Sequence, residues 1–181
     1  AKLGDELKSM NSCDETEQTG KCKAIDVYSL DSFLDKIAVL KDDLIHFLSI
    51  DTEGFDPWVL QGAEKTLRQV KYLEFEYNRM GPWENTSLYA TVEMLKGSGF
   101  SCYWAGHHRN IWRVTDCWLE YYEQKHWSNL ACVNVRSEHS KSLAEKMEAM
   151  FLDTIAKGGE IRYDHVRTLH TDGRWNIKTR L

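Results

Sequence analysis

Acidic side chains follow two apolar segments of the sequence, one after the other along the chain. Asp51 and Glu53 come directly after the segment 44–50, and Glu76 and Asn78 lie at the end of the next one. If both segments are parallel strands of one sheet, their carboxyl ends meet at the edge where open α/β sheets bind ligands. Carboxylates at such an edge can hold a substrate hydroxyl, act as a general base or bind a hard divalent cation. Asp51, Glu53, Glu76 and Asn78 are therefore the candidate catalytic residues.

The same positions also have a purely structural interpretation. Asp51 and Thr52 can cap the turn after the first segment, and Glu76 can form a salt bridge with Arg79 or Arg113. Spacing alone does not decide between the two interpretations, and both stay open at this stage.

Aromatic residues near the same strand ends extend the candidate site. Tyr77, Trp83 and Trp104 are expected to complete its rim. His107 and His108 do not indicate a metal site, because adjacent side chains of a strand point to opposite faces. An exposed loop is the better interpretation for them, and a divalent metal remains an option only at the acidic strand ends.

A strand–helix–strand unit is expected to position these residues. Residues 44–50 are mostly apolar on both faces, which is typical of a strand buried in a parallel sheet. Asp56 suits the N-cap of the following helix, and Pro57 suits its first turn. Residues 70–76 form the second strand, so the two strands should be parallel and joined by a right-handed crossover. The helix should bury one face, made of Val59, Leu60, Ala63 and Leu67.

Further elements are predicted on both sides of this unit. Residues 24–28 alternate like a short strand, and Ser87 can cap a helix through Lys96 that Gly97 and Gly99 end. A short helix is predicted at 29–37, which Ser29 or Asp31 can cap, and an amphipathic helix is predicted at 140–156. The apolar stripe of the second helix consists of Leu143, Met147, Met150, Phe151 and Ile155. The other predicted elements are strands at 100–105 and 130–135, a short extended segment at 110–114 and helical turns at 118–125.

The composition is that of a globular protein and restricts its partners. Hydrophobic residues make up 42% of the 181 residues and charged residues 28%, which argues against a disordered or fibrous chain. The net charge of −5 argues against nucleic acid as a partner, because phosphate contacts need clustered Lys and Arg. Charged residues interrupt every long apolar run, so no segment is expected to span a bilayer.

The cysteines leave the redox compartment open. Cys13 and Cys22 flank a polar loop and can form a disulfide or remain free thiols. Cys102 and Cys132 fall in predicted strands, where a buried cysteine behaves as a small hydrophobic residue. None of the five cysteines forms a C-x-x-C pair. The triplet that begins at Asn85 fits a glycosylation sequon, a pattern that is frequent by chance.

Several of these segments together resemble the second half of FkbM-type methyltransferases. The resemblance spans roughly residues 25–134, and its D-x-E-G strand end followed by a V-L-x-G-A helix is moderately specific. The segments that carry it are Leu30-Asp31-Ser32-Phe33-Leu34, Leu48 to Asp56, Val59-Leu60-Gln61-Gly62-Ala63, Glu74 to Asn78, and Trp127-Ser128-Asn129-Leu130.

The resemblance implies an α/β fold of the Rossmann-like class I methyltransferase type and methyl transfer from S-adenosylmethionine, usually to a hydroxyl oxygen. In that fold the sheet order is 3-2-1-4-5-7-6, and the four main strands predicted here correspond to strands 4, 5, 6 and 7. No strand followed by G-x-G precedes residue 25, so the cofactor-binding N-terminal half is expected to be lacking. The family's site residues therefore carry over only to Asp51, Glu53, Glu76 and Asn78, and no cofactor-binding residue is assigned.

Three regions follow from this comparison: a polar segment at 1–23, the C-terminal half of a methyltransferase domain at 24–136, and an amphipathic helix with a tail at 137–181. Strand 44–50 would then form an apolar edge, which is an aggregation hazard when it is left open. We therefore expect an upstream segment of a longer polypeptide, or a partner chain, to cover that edge.

Three functions are consistent with the sequence. The first is an O-methyltransferase that acts on a small-molecule or glycan hydroxyl. The second is a non-catalytic, methyltransferase-like subunit of a larger assembly. The third is a secreted, glycan-associated module. It is supported by the sequon, the spacing of Cys13 and Cys22 and the abundance of tryptophan.

Overall fold

A five-stranded mixed sheet forms the centre of the molecule. The computed structural model describes residues 26–37, 44–106 and 110–157. The strands are β1 (Leu48–Ile50), β2 (Tyr72–Tyr77), β3 (Phe100–Ala105), β4 (Ile111–Arg113) and β5 (Ser128–Asn134), in the spatial order β1-β2-β5-β3-β4. The helices are α1 (Leu30–Ile37), α2 (Asp56–Gln61), α3 (Glu64–Leu67), α4 (Leu88–Gly97) and α5 (Lys141–Ala156), with single 3₁₀ turns at Gly81–Asn85, Glu120–Glu123 and Glu138–Ser140.

The predicted strand–helix–strand unit is present, and its two strands are parallel. Ile50 pairs with Phe75 in the register of β1 and β2. The first strand is shorter than the predicted 44–50, because only an isolated bridge from Ile45 to Val70 extends the pairing upstream. Phe47 lies between the two and is 54% exposed, so this segment is not buried on both faces.

The last strand, β5, lies in the middle of the sheet and is antiparallel to both β2 and β3. The four predicted strands therefore lie in the order that the resemblance implies, and β4 adds an edge strand beside β3. A mixed α/β fold with this sheet is compatible with a methyltransferase. The one-to-one correspondence with the family's numbered strands stays a prediction.

Two apolar layers cover the sheet. On one face, α2, α3 and α4 pack on alternate residues of β2, β3 and β5, around the completely buried Trp83, Leu73 and Leu130. On the other face, Met147 and Phe151 of α5 pack on Tyr103 and Val133. Complete burial of one large apolar side chain stabilises a fold by roughly 1.5–3 kcal/mol, so the first layer dominates.

The helix predicted from Asp56 onward is divided in two. Gly62 ends α2, and α3 begins at Glu64. The residue at the N-cap of α2 is Phe55, and Asp56 is completely buried inside the first turn, so the N-cap prediction for Asp56 is wrong. The helix is interrupted because the carboxylate of Asp31 in α1 accepts hydrogen bonds from the backbone N–H groups at the start of α3.

Two other predictions need correction. Residues 26–28 belong to no helix or strand, so the predicted strand at 24–28 is not found in its described part. In α5, the predicted apolar stripe faces the sheet only along Met147 and Phe151, while Met150 and Ile155 are 42% and 46% exposed. The third buried residue of this helix is the polar Thr154, so the buried face of α5 differs from the predicted apolar stripe.

Cys102 and Cys132 form a disulfide across β3 and β5. The two residues are direct partners in the antiparallel register, although 30 positions separate them in sequence. Both cysteines are buried in strands as predicted, but the prediction treated each strand alone and did not include the bond between them. Cys13 and Cys22 lie outside the described residues.

The outer edge of β1 has no strand partner within the described residues. The predicted open edge is therefore observed there, and what covers it stays a prediction. Within the same part of the chain, no helix has the length and apolar character needed to cross a membrane.

The carboxylate of Asp31 joins α1 to the start of α3. It accepts hydrogen bonds from the backbone N–H groups of Lys65 and Thr66, both at 2.9 Å, and from the Thr66 hydroxyl at 2.6 Å. Burial raises the pKa of Asp31, but these hydrogen bonds and the Lys65 charge outweigh it and hold the pKa below its usual value. The stabilisation is therefore present at neutral pH and is lost as the pH falls through that lowered pKa.

Asp31→Ala should lower the free energy of unfolding by about 1–2 kcal/mol, because two amides at a helix start lose their acceptor. Asp35→Ala is the matched control on the same helix: Asp35 only pairs with Lys65 at the surface, where both side chains are more than 60% exposed. The control should cost less than about 1 kcal/mol. Urea unfolding of both variants measures the difference, and equal losses would contradict the assignment.

Candidate active site

Two turns meet at the carboxyl ends of β1 and β2. The pairing of Ile50 with Phe75 places Asp51 and Glu76 next to each other, one residue further along the two strands. The turn after β1 then contacts the turn after β2 through Gly54, whose φ is +95°. A Cβ atom on Gly54 would lie 2.3 Å from the carbonyl oxygen of Met80. Only glycine fits there, so the D-x-E-G strand end serves this close approach of two backbones.

Asp51 and Glu53 present free carboxylates at this edge. Both side chains are exposed, and neither makes a hydrogen bond or ion pair with any described residue. Glu53 also has a φ of +52°, in the left-handed region that non-glycine residues rarely adopt. Residues held in that region are often found at ligand sites. The turn-capping alternative for the Asp51 side chain is therefore not observed.

Glu76 is held at four points. Its carboxylate accepts a hydrogen bond from the Asn78 amide at 2.7 Å and another, on the other oxygen, from the indole N–H of Trp127. Its backbone N–H donates to Asp56 at 3.1 Å, and its backbone carbonyl accepts from the indole of Trp83 at 2.9 Å. The alternative salt bridges of Glu76 with Arg79 or Arg113 are not observed. A carboxylate fixed in this way has a defined position before any ligand arrives.

Asn78 supports Glu76 from below the surface. The side chain is completely buried, and its amide oxygen accepts from the backbone N–H of Met80 at 2.8 Å while its NH₂ group donates to Glu76. Both polar ends of the side chain are thus used inside the protein. This geometry suits a positioning residue rather than one that touches a ligand.

Asp56 is the member of the site that sequence reasoning missed. The side chain is completely buried, and it accepts from the Glu76 backbone N–H and from the Thr52 hydroxyl, the latter at 3.1 Å. Burial raises the pKa of the Asp56 carboxyl above its usual value. Hydrogen bonds from the backbone N–H groups of Glu76 and of Asp56 itself and from the Thr52 hydroxyl oppose this rise without cancelling it, and the Glu76 charge adds to it. In the sequence, the apolar neighbours Phe55 and Pro57 are the feature that could have indicated the burial of Asp56.

The aromatic rim differs from the prediction. Tyr77 and Trp83 are completely buried and Trp104 is 6% exposed, so all three belong to the core. The aromatic residue at the rim is Trp127, which is 61% exposed and precedes β5. Sequence periodicity does not separate a rim aromatic from a core aromatic, because the difference lies in the neighbouring elements. His107 and His108 lie outside the described residues.

Neither a metal site nor a complete cofactor site is formed by the described residues. Among them, no three His, Cys, Asp or Glu side chains are grouped closely enough to hold a metal ion. No strand in the ranges 44–106 and 110–157 is followed by a G-x-G turn, the feature that cradles S-adenosylmethionine in class I methyltransferases. No cofactor-binding residue is therefore assigned among the described residues.

Comparison with known proteins identifies one family. The family model described as methyltransferase FkbM domain matches residues 2–102, which is more than half of the chain. The matched range contains Asp51, Glu53, Glu76 and Asn78 and ends before Trp127. Searches of curated proteins and of solved structures gave no significant match.

Gly54→Ala should destabilise the protein by more than about 1 kcal/mol, because a side chain at this φ is strained and meets the Met80 carbonyl. Gly97→Ala is the control: no atom lies within 4 Å of the added Cβ, and the residue is helical. The control should be neutral or stabilising by up to about 1 kcal/mol. Thermal and urea unfolding measure the stability of both variants. A Gly54→Ala variant that is as stable as wild type would show that the two turns are not in contact.

Asp56→Asn should change how stability depends on pH. Because the folded-state pKa of Asp56 is raised, the folded protein retains a proton that the unfolded chain has already released, so stability falls as the pH rises between the two pKa values. An asparagine stays neutral and should remove this component. Unfolding free energies measured from about pH 3 to about pH 7 test it; parallel curves for wild type and variant would contradict the raised pKa.

Asp56→Ala provides the structural counterpart. It leaves the Glu76 amide and the Thr52 hydroxyl buried without their acceptor, so it should cost about 1–3 kcal/mol at any pH. The asparagine variant retains an acceptor for the Glu76 amide and should cost less. Urea unfolding at one neutral pH ranks the two variants, and equal losses would show that the hydrogen bonds contribute nothing.

Proposed function

The chain belongs to the FkbM methyltransferase family, and on that premise we propose that it transfers a methyl group from S-adenosylmethionine to a hydroxyl oxygen, with Glu76 accepting the hydroxyl proton. The observation that carries this proposal is the four-point fixation of Glu76 at the carboxyl end of β2. The family implies the methyl donor. The residues of the chain itself support the acceptor side.

The fixed carboxylate suits a hydroxyl acceptor. Each oxygen of Glu76 receives one hydrogen bond from the protein and keeps a lone pair for a second one. A hydroxyl that donates to this carboxylate is oriented by it and can lose its proton to it as the oxygen becomes methylated. Orientation of reacting groups and proton acceptance are the two contributions that such a side chain makes to a rate.

The other three candidate residues have supporting roles in the proposed reaction. Asp51, beside Glu76 and exposed, makes a second contact to the acceptor. Glu53, held at the turn with a positive φ, contributes negative charge at the rim. Asn78 fixes the Glu76 carboxylate from behind and is a positioning residue.

The strand arrangement supports a place for the methyl donor. We propose that β1, β2, β3 and β5 correspond to strands 4, 5, 6 and 7 of the class I fold, within the region 24–136. The donor would then lie beyond the outer edge of β1, which has no partner among the described strands. The acidic strand ends would face it from the acceptor side.

One observation favours the alternative of a non-catalytic, methyltransferase-like subunit. The outer surface of α5 carries Leu143, Met150, Leu152 and Ile155, which are 37% to 55% exposed. Apolar residues in such number on one helix are a feature of protein interfaces. This alternative predicts an assembly that binds no methyl donor.

Calorimetric titration of S-adenosylmethionine into the native polypeptide that contains this chain separates the two functions. Saturable binding, with competition by S-adenosylhomocysteine, supports the methyltransferase. The absence of any binding would contradict the proposed function and leave the subunit alternative.

Glu76→Gln should reduce methyl transfer by about 10²- to 10⁴-fold, the usual contribution of a general base. The amide keeps the shape of the side chain and one acceptor oxygen for the buried Asn78, and it gives up only the hydrogen bond from the exposed Trp127, so the protein should still fold and bind the donor. Glu74→Gln is the matched control, since Glu74 lies on the same face of β2 and, within the described ranges, its side chain accepts only from Tyr72. Transfer of labelled methyl groups to a panel of hydroxyl compounds measures both; equal rates for Glu76→Gln and wild type would refute the role of Glu76.

A further inference from the structure

We propose that Trp127 is a stacking platform that holds a neutral saccharide ring with one hydroxyl on Glu76. This inference rests on the proposed function and adds the chemical class of the acceptor and a residue that selects it. It concerns a residue outside the range that the family model matches.

The indole of Trp127 is exposed although it is held in place. Its exposed fraction of 61% is the highest among the exposed large apolar residues of the described chain. Within the described residues, its ring makes no stacking or edge contact with another aromatic ring, whereas Trp118 and Trp104 each contact Tyr122. The hydrogen bond from its N–H to Glu76 fixes the ring at one edge and leaves its surface open.

This hydrogen bond places the open ring beside the candidate base. A ring that stacks on the indole has its centre about 4.5–7 Å away. The indole N–H itself touches one carboxylate oxygen of Glu76, so a hydroxyl at the edge of the stacked ring can reach that carboxylate. Stacking and proton acceptance thus act on the same molecule.

The neighbouring charges select a neutral polyol. Asp51 and Glu53 are exposed at the same edge together with Arg79, and the excess of negative charge, to which Glu76 adds, disfavours phosphate or carboxylate groups on the acceptor. Adjacent strands lie about 4.7–4.9 Å apart, so the ends of β1 and β2 present Asp51 and Glu76 at a spacing that separate hydroxyls of one sugar ring can bridge. A phenol offers the stacking surface but only one hydroxyl, and an open-chain polyol offers hydroxyls without the surface.

Indole N–H resonances of the native protein provide a direct test. The signal of Trp127 is assigned by its loss in Trp127→Phe. Methyl α-D-glucopyranoside is then titrated, with sorbitol as the open-chain control and phenol as the aromatic control. A saturable shift of the Trp127 signal with the glucopyranoside, at concentrations where sorbitol has no effect, supports the platform. No shift with the glucopyranoside, an equal shift with sorbitol, or a shift with phenol alone would overturn it.

Trp127→Ala should weaken glucopyranoside binding, measured through the remaining signals of the site, by roughly two- to tenfold. Leu152→Ala is the control: it removes an exposed apolar side chain that lines a cleft with Phe100, at the start of β3 and thus at the opposite end of the sheet. Both variants should keep the thermal midpoint of wild type, because neither side chain is buried. Unchanged binding in Trp127→Ala would overturn the proposal.

The two proposals fail in different ways. A protein that binds the glucopyranoside through Trp127 but transfers no methyl group contradicts the proposed function and leaves the platform intact. A protein that methylates a hydroxyl compound with the same kcat and KM in wild type and Trp127→Ala supports the function and overturns the platform.

Discussion

The buried carboxylate of Asp56 connects the two strand ends on which the site is built. It accepts from the Thr52 hydroxyl after β1 and from the Glu76 amide at the end of β2, and it is completely shielded from water. A carboxylate in such a place is tolerated only when its hydrogen bonds are made, because burial disfavours the charged form. The two turns must therefore stay in register for Asp56 to be satisfied.

The rest of the site depends on that connection. The close approach of Gly54 to the Met80 carbonyl brings the turns together. The buried Asn78 side chain donates a hydrogen bond to the Glu76 carboxylate and accepts one from the Met80 backbone N–H. The supporting groups are buried, while Asp51 and the face of the Trp127 indole are open. A rigid buried layer beneath an accessible polar layer is the arrangement that functional sites require for defined geometry.

Much of the architecture could be predicted from local patterns. The parallel unit, the helix that Ser87 caps and the positions of four strands follow from apolar periodicity and capping residues, and Ser87 does accept the N–H of Ala90. The order of the strands came from the family resemblance, since periodicity does not give order. The placement of Asp51 and Glu76 at one edge follows from that order.

The failures share one physical cause, which is pairing between distant segments. Cys102 and Cys132 meet only because β5 enters between β2 and β3. The exposure of Trp127 depends on which elements surround it, and the division of the helix after Asp56 depends on a cap supplied by Asp31. None of these contacts is visible in the spacing of residues along one element.

On the proposed function, a methyl acceptor is held at the edge where Asp51 and Glu76 meet. A crystal structure of the native protein with bound S-adenosylhomocysteine tests it most directly. The proposed function predicts that the sulfur atom lies at the carboxyl end of β1, on its outer side, and faces the carboxylate of Glu76, with Trp127 open beside it. A sulfur atom at the amino ends of the strands, or one separated from Glu76 by the body of the sheet, would contradict it.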